Sequence, residues 1–179
     1  MKKILILSHC ILNNAAKVAQ EEGELEAEYK DRNRLMELIL SEDVQMLQLP
    51  CPEMSIFGSR RWGHVKDQFD YPFFRSECRK MLEPVLLQIE DYANSPERFE
   101  IVGVVSVEGS PSCGHKLTCR GDWGGELGDD FQQKLVQVES VEMTEEPGVF
   151  MDELEAMLND RQIDVPVITM PEAISILEK

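Results

Sequence analysis

The chain has 179 residues, 42% of them hydrophobic, and a formal net charge of −16 at pH 7. This length fits a single domain spanning residues 1–179, and the negative charge argues against nucleic acid or a membrane surface as a partner. The start, MKKILILSHC, lacks the long apolar stretch of a signal peptide, and no apolar segment is long enough to cross a bilayer, so we expect a cytoplasmic protein.

The apolar pattern predicts strands that alternate with helices. In chain order, the predicted elements are a strand at 2–8, a helix at 23–42, a strand at 44–50, a helix at about 67–92, a strand at 99–107, an ordered loop at 114–130, an extended segment at 134–143, a helix at 147–160, and a strand at 165–171 with a short helix after it. Pro84 interrupts the second helix and indicates a kink or a restart. This alternation predicts a three-layer α/β/α domain with a mainly parallel sheet, Rossmann-like or flavodoxin-like, of undetermined strand order.

Three of the five cysteines directly follow predicted strands. Cys10, Cys51 and Cys113 each lie just beyond a strand's carboxyl end, which is the edge where open α/β sheets form ligand sites. If those strands are neighbours, the three thiols converge. Cys78 falls on the apolar face of a helix and is interpreted as a core residue. Cys119 lies in the loop after the third strand, where a cysteine without a role is the simpler interpretation.

Three convergent thiolates favour soft metals, but several chemistries remain open. Zinc would need a fourth ligand, such as His9 or His115. A 4Fe–4S cluster on three cysteines would leave one iron open to act as a Lewis acid. Without metal, Cys113 could be a nucleophile with a nearby histidine as its base, although this leaves Cys10 and Cys51 unexplained.

Short motifs follow the three strands: S-x-C after the first, C-P-E after the second and S-P-S-C-G after the third. Together they resemble the 2-thiouracil desulfurase family and its desulfidase-like relatives. The resemblance implies a 4Fe–4S cluster held by Cys10, Cys51 and Cys113, with the fourth iron free to take sulfur from a thiolated substrate. It also implies catalytic roles for Glu53 and for Ser110, the first serine of S-P-S-C.

The resulting hypothesis is a desulfidase that removes sulfur from a small C=S compound by hydrolysis, without net redox change. Glu53 would activate a water, and Ser110 would orient the substrate or relay a proton. His9 and His115 flank ligand positions, so either could donate a hydrogen bond to a cluster sulfur. The alternatives are a metal-free cysteine hydrolase or transferase and a zinc-stabilised binding domain.

Two segments, 57–72 and 118–126, depart from the family's pattern, and we expect them to line the substrate pocket. Arg60, Arg61 and Trp62 in the first segment could bind an anionic or planar substrate. An exposed loop whose arginines lie along the surface is the slightly preferred interpretation. Neither the thiolated compound nor the oligomeric state follows from the sequence.

Overall fold

A four-stranded parallel sheet forms the centre of the computed structural model, which describes residues 1–20, 23, 25–128 and 130–179. The strands are β1 (Lys2–Leu7), β2 (Gln45–Gln48), β3 (Phe99–Val105), β4 (Thr118–Arg120), β5 (Glu142–Thr144) and β6 (Val167–Ile168). The parallel sheet has the order β2–β1–β3–β6, while β4 and β5 form a separate antiparallel pair. The predicted parallel sheet is therefore confirmed.

Helices cover both faces of this sheet. They are α1 (His9–Leu12), α2 (Glu26–Ser41), α3 (Pro52–Phe57), α4 (Pro72–Ala93), α5 (Phe131–Glu139), α6 (Val149–Asp160) and α7 (Met170–Leu177). Two pairs, α2 with α7 and α4 with α6, form the outer layers, and both α4 and α7 contact β3. The three-layer α/β/α prediction is confirmed. Within the described residues, the helices are all too short or too polar to span a membrane.

The strand order fixes where a ligand site can form. Leu5, Ile6 and Leu7 of β1 are fully buried because β1 is covered on both faces and paired on both sides. The chain runs from β1 to β2 on one side and then crosses to β3 on the other. The carboxyl end of β1 is thus a topological switch point, as in flavodoxin-like sheets, and β1, β2 and β3 are neighbours.

Two predicted elements differ from the structure. The segment 134–143 was predicted to be extended, but 134–139 belongs to α5, which begins where the Asp130 carboxylate accepts a hydrogen bond from the backbone N–H of Gln133. Pro84 was predicted to mark a kink or a restart of the helix, and the restart is wrong because α4 continues through Pro84. Buried Leu82 and Leu86 hold the helix on either side of the proline.

The Gly-rich stretch after β3 is only partly a loop. Thr118–Arg120 of the predicted loop 114–130 form β4, which pairs with β5. Residues 66–68 form a short 3₁₀ helix before α4 begins at Pro72, so the predicted start of that helix at about residue 67 is several residues early. These turns bring residues from 57–72 and 118–126 to the same edge of the sheet as the cysteines.

Candidate functional site

Cys10, Cys51 and Cys113 line one cavity of about 400 Å³ at the carboxyl ends of β1, β2 and β3. Cys10 lies in α1, directly after β1, and Cys51 is the N-cap residue of α3, where its Sγ accepts a hydrogen bond from the backbone N–H of Met54. Cys113 lies in the turn that follows β3. Adjacent strands thus bring together three thiols that are far apart in the sequence.

The three thiols interact electrostatically with one another. Burial raises the pKa of Cys10 to about 11, and the nearby Cys51 and Glu53 act in the same direction. Burial also raises the pKa of Cys113 well above its usual value, with further contributions from Cys10 and Cys51. A positively charged group at this point would relieve the mutual repulsion of the thiolates.

The side chains in the cavity can be compared with the ligand arrangements that a single metal ion and a 4Fe–4S cluster require. Among the described residues, no group of three or more His, Cys, Asp or Glu side chains is arranged to hold a single metal ion. In a 4Fe–4S cluster each cysteine binds a different iron, so the sulfurs surround a bulky group and do not converge on one atom. Cys10, Cys51 and Cys113 all line one cavity and none of them forms a disulfide, so three thiols are available there for such a group.

The turn that carries Cys113 is held by its own first serine. Ser110 Oγ accepts hydrogen bonds from the backbone N–H groups of Ser112 and Cys113, at 3.3 and 3.0 Å. Gly114 is required because a Cβ there would lie 2.1 Å from the carbonyl oxygen of Leu117. Ser110 therefore shapes the turn, and its neighbour Ser112 is the serine that faces the acidic residue.

Helix α6 supports this turn from behind. The backbone N–H groups of Val149 and Phe150 donate to the carbonyls of Pro111 and Ser112, each at 3.0 Å. Gly148 allows the close approach, since a Cβ there would lie 2.6 Å from the Ser112 carbonyl group. The turn is thus fixed by the first residues of a helix that comes much later in the chain.

Glu53 is held on both carboxylate oxygens. Ser112 Oγ donates a hydrogen bond of 2.6 Å to Oε1, and Arg61 Nε lies 3.1 Å from Oε2. The Arg61 side chain is only 4% exposed, and its guanidinium also donates to the carbonyls of Ala16 and Gly58. The preferred interpretation of Arg61 as an exposed surface residue is therefore wrong, because the carboxylate and the carbonyls satisfy its charge inside the protein.

The other predicted neighbours of the site are distributed differently from expectation. Cys78 is fully buried in the core, as predicted. Cys119 is also buried and lines the cavity, with its thiol directed at the carbonyl of His64. Neither His9 nor His115 is among the described residues that line the cavity; Nδ1 of His115 instead lies 3.6 Å from a carboxylate oxygen of Glu155.

Two cavity residues, Ser112 and His64, were not singled out from the sequence, and Arg61 was considered as a substrate-binding residue but interpreted as exposed. A signal existed for Ser112, because it stands inside S-P-S-C, but the resemblance assigned the catalytic role to the first serine of that motif, Ser110. The segment 57–72 was expected to line the pocket, yet nothing in its sequence distinguishes a buried arginine or an inward-facing histidine from exposed ones.

Comparison with known proteins identifies the family of the chain. Residues 1–139 match the family described as "Putative 2-thiouracil desulfurase". A protein of Methanocaldococcus jannaschii, described as uncharacterized, is 33% identical over 112 residues, which cover 63% of this chain and 67% of the relative. No solved structure matches the chain. The match spans all three cysteine motifs together with Glu53, and the chain belongs to the 2-thiouracil desulfurase family.

Proposed function

We propose that the protein is a desulfidase that removes sulfur from a small thiolated heterocycle of the 2-thiouracil type by hydrolysis. The observation that carries the proposal is the single cavity in which three cysteine thiols meet a carboxylate held by Arg61 and Ser112. Family membership supports the reaction class. The net reaction converts C=S and water into C=O and hydrogen sulfide, so it needs no oxidant or reductant.

We assign the cofactor-binding role to Cys10, Cys51 and Cys113, which would hold a 4Fe–4S cluster. When bound, the cluster would supply a Lewis-acidic iron that accepts the sulfur of the substrate. Residues other than the thiols, among them Val107 and Trp123, also line the cavity and would contact an organic ligand. A cluster held by three cysteines needs no fourth cysteine, so we assign Cys119 to the part of the cavity that would contact the substrate. Burial raises the pKa of Cys119, and the charge of Glu53 raises it further.

Glu53 is proposed as the general base. It would take a proton from a water molecule as that water attacks the carbon of the C=S group. Each carboxylate oxygen keeps a lone pair beyond the one used by Ser112 or Arg61, so accepting a proton does not require either contact to break. Arg61 and Ser112 fix the orientation of the carboxylate, and the Ser112 hydroxyl can pass a proton on.

Anaerobic purification followed by assay with 2-thiouracil tests the proposal. We expect a brown protein with equal amounts of iron and acid-labile sulfide, which releases sulfide and forms uracil. A cluster-loaded protein that leaves 2-thiouracil and related thio-heterocycles intact would contradict the activity. A colourless protein with one hyper-reactive cysteine would favour the metal-free alternative, and zinc released only on unfolding would favour a binding domain.

A further inference from the structure

The polar side chains in the cavity wall are almost all engaged with other protein groups. Among the described half-buried and buried side chains, and apart from the three thiols, these pairs are Glu53 with Arg61 and Ser112, Lys17 with Glu28, Glu108 with backbone N–H groups of 115–117, and Trp123 with the carbonyl of Val138. The imidazole of His64 is the exception. Its Nδ1 is buried and has no hydrogen-bond partner among the described residues.

The His64 ring is nevertheless held in a defined position. It packs against Phe57 and Phe69, with 4.8 Å between its centroid and that of each ring. Its backbone carbonyl accepts a hydrogen bond from the Cys119 thiol at 3.4 Å. A ring fixed by packing loses little conformational entropy when a ligand binds, so it is preorganised for a directional contact.

We propose that His64 binds the substrate directly, through a hydrogen bond between its imidazole and a ring nitrogen or oxygen of the heterocycle that carries the C=S group. This inference rests on the proposed function. His64 lines the cavity, so its imidazole is placed to contact a ligand there, and a hydrogen bond to the ligand would add to the affinity. Trp123 adds a flat apolar surface to the same wall, which suits a planar ring.

The charge state of the ring is compatible with this role. Burial lowers the pKa of His64, the Glu53 carboxylate and the Trp62 carbonyl act in the opposite direction, and Arg61 acts in the same direction as burial. The imidazole is therefore neutral near pH 7, and a neutral imidazole offers one donor and one acceptor. A heterocycle such as uracil, with adjacent N–H and C=O groups, can satisfy either.

Uracil has no sulfur and is not turned over, so its affinity reports binding alone. Variants of His64 then separate the hydrogen bond of the ring from its packing. We would measure the dissociation constant by calorimetry for the wild type, His64→Phe and His64→Gln. His64→Phe keeps an aromatic ring against Phe57 and Phe69 but removes the polar atoms, and we expect a loss of about tenfold in affinity. His64→Gln keeps a hydrogen-bonding group, so its affinity should stay closer to that of the wild type.

Trp62→Leu is the matched control, because Trp62 lies in the same segment, 57–72, but is 82% exposed. The affinity of this variant for uracil should equal that of the wild type. The inference is overturned if His64→Phe binds uracil like the wild type, if His64→Gln is the weaker of the two variants, or if the wild type does not bind uracil. Sulfide release from 2-thiouracil by the wild type is assayed in parallel. Sulfide release with His64-independent uracil binding refutes this inference alone, whereas absent sulfide release refutes the proposed function.

Discussion

The Ser112 hydroxyl donates a hydrogen bond of 2.6 Å to Oε1 of Glu53, although the two residues are 59 positions apart in the chain. Ser112 belongs to the turn after β3, and Glu53 belongs to the first turn of α3 after β2. The bond therefore joins two motifs that follow different strands. It also distinguishes the two serines of S-P-S-C, since Ser110 bonds its own turn and Ser112 bonds the carboxylate.

Glu53→Gln should retain iron but lose turnover by about a hundredfold or more, because the amide cannot act as a base. Iron content and sulfide release from 2-thiouracil are the measurements. Glu100→Gln is the control, since this exposed residue lies on β3 outside the cavity and should behave like the wild type. Loss of iron in Glu53→Gln would instead indicate a structural role for the carboxylate.

The two serines should respond differently to replacement by alanine. Ser112→Ala removes the contact to Glu53, so we expect slower turnover with normal iron content. Ser110→Ala removes the acceptor of two backbone N–H groups, and loss of such a local cap costs about 1 kcal/mol. We therefore expect Ser110→Ala to lower the thermal midpoint and iron retention more than Ser112→Ala does. The reverse order would favour Ser110 as the catalytic serine.

Cysteine variants test the set of ligands. Cys10→Ser, Cys51→Ser and Cys113→Ser should each lower iron content strongly, because each removes one thiolate of the proposed three. Cys78→Ala should keep its iron, since Cys78 is buried in the core and lies outside the cavity lining. Its small cavity should cost roughly 1–2 kcal/mol of stability. Marked iron loss in Cys78→Ala, measured per folded protein, would show that the proposed ligand set is incorrect.

Arg61→Met should destabilise the protein, because it leaves the Glu53 carboxylate without its cation in a site where Glu53 is 12% exposed. Removing one partner of a buried ion pair costs roughly 3–5 kcal/mol. The double variant Arg61→Met/Glu53→Gln should recover part of this loss, since the uncompensated charge is gone. Urea unfolding of the wild type, both single variants and the double variant gives the coupling. Additive losses would mean that the two side chains are not energetically coupled.

Glu146 should make the stability depend on pH in the acid range. Hydrogen bonds from Arg120 and Lys66 hold the pKa of Glu146 at about 2, below its ordinary value of 4.5. Because the folded-state pKa is the lower one, the stabilisation is present above pH 4.5 and is lost as the pH falls towards 2.

In urea unfolding, the difference in stability between the wild type and Glu146→Gln should therefore be largest near pH 6 and shrink between pH 4.5 and 2. The exposed neighbour variant Glu145→Gln should show no such trend. A difference that stays constant across this window would contradict the ion pair.

The sequence predicted the layers of the fold and the cysteine positions well, because both depend on local patterns. Apolar strand runs followed by cysteines identify the sheet edge, and parallel strands share that edge. The adjacency of β2, β1 and β3 could not be derived, since strand order depends on packing between distant segments. That adjacency is what brings Cys10, Cys51 and Cys113 into one cavity.

The predictions that were wrong have identifiable physical reasons. Valine and polar residues alternate in 136–139, which indicates a strand, whereas the N-cap at Asp130 favours a helix. Arg61 could not be recognised as buried because its compensating groups, Glu53 and two backbone carbonyls, come from other parts of the fold. Long-range compensation of charge leaves no trace in a single sequence.

The Cys113 turn lies within the region that matches the family, but part of its support comes from α6, which lies outside that region. Similarity to the family ends at residue 139, yet the helix that anchors the turn begins at Val149, and the fourth strand of the parallel sheet lies at Val167–Ile168. A chain truncated at residue 139 would keep all three cysteine motifs. It would lose the backbone hydrogen bonds that α6 donates to the last of them, so we expect the Cys113 turn to be held less rigidly in the shared region alone.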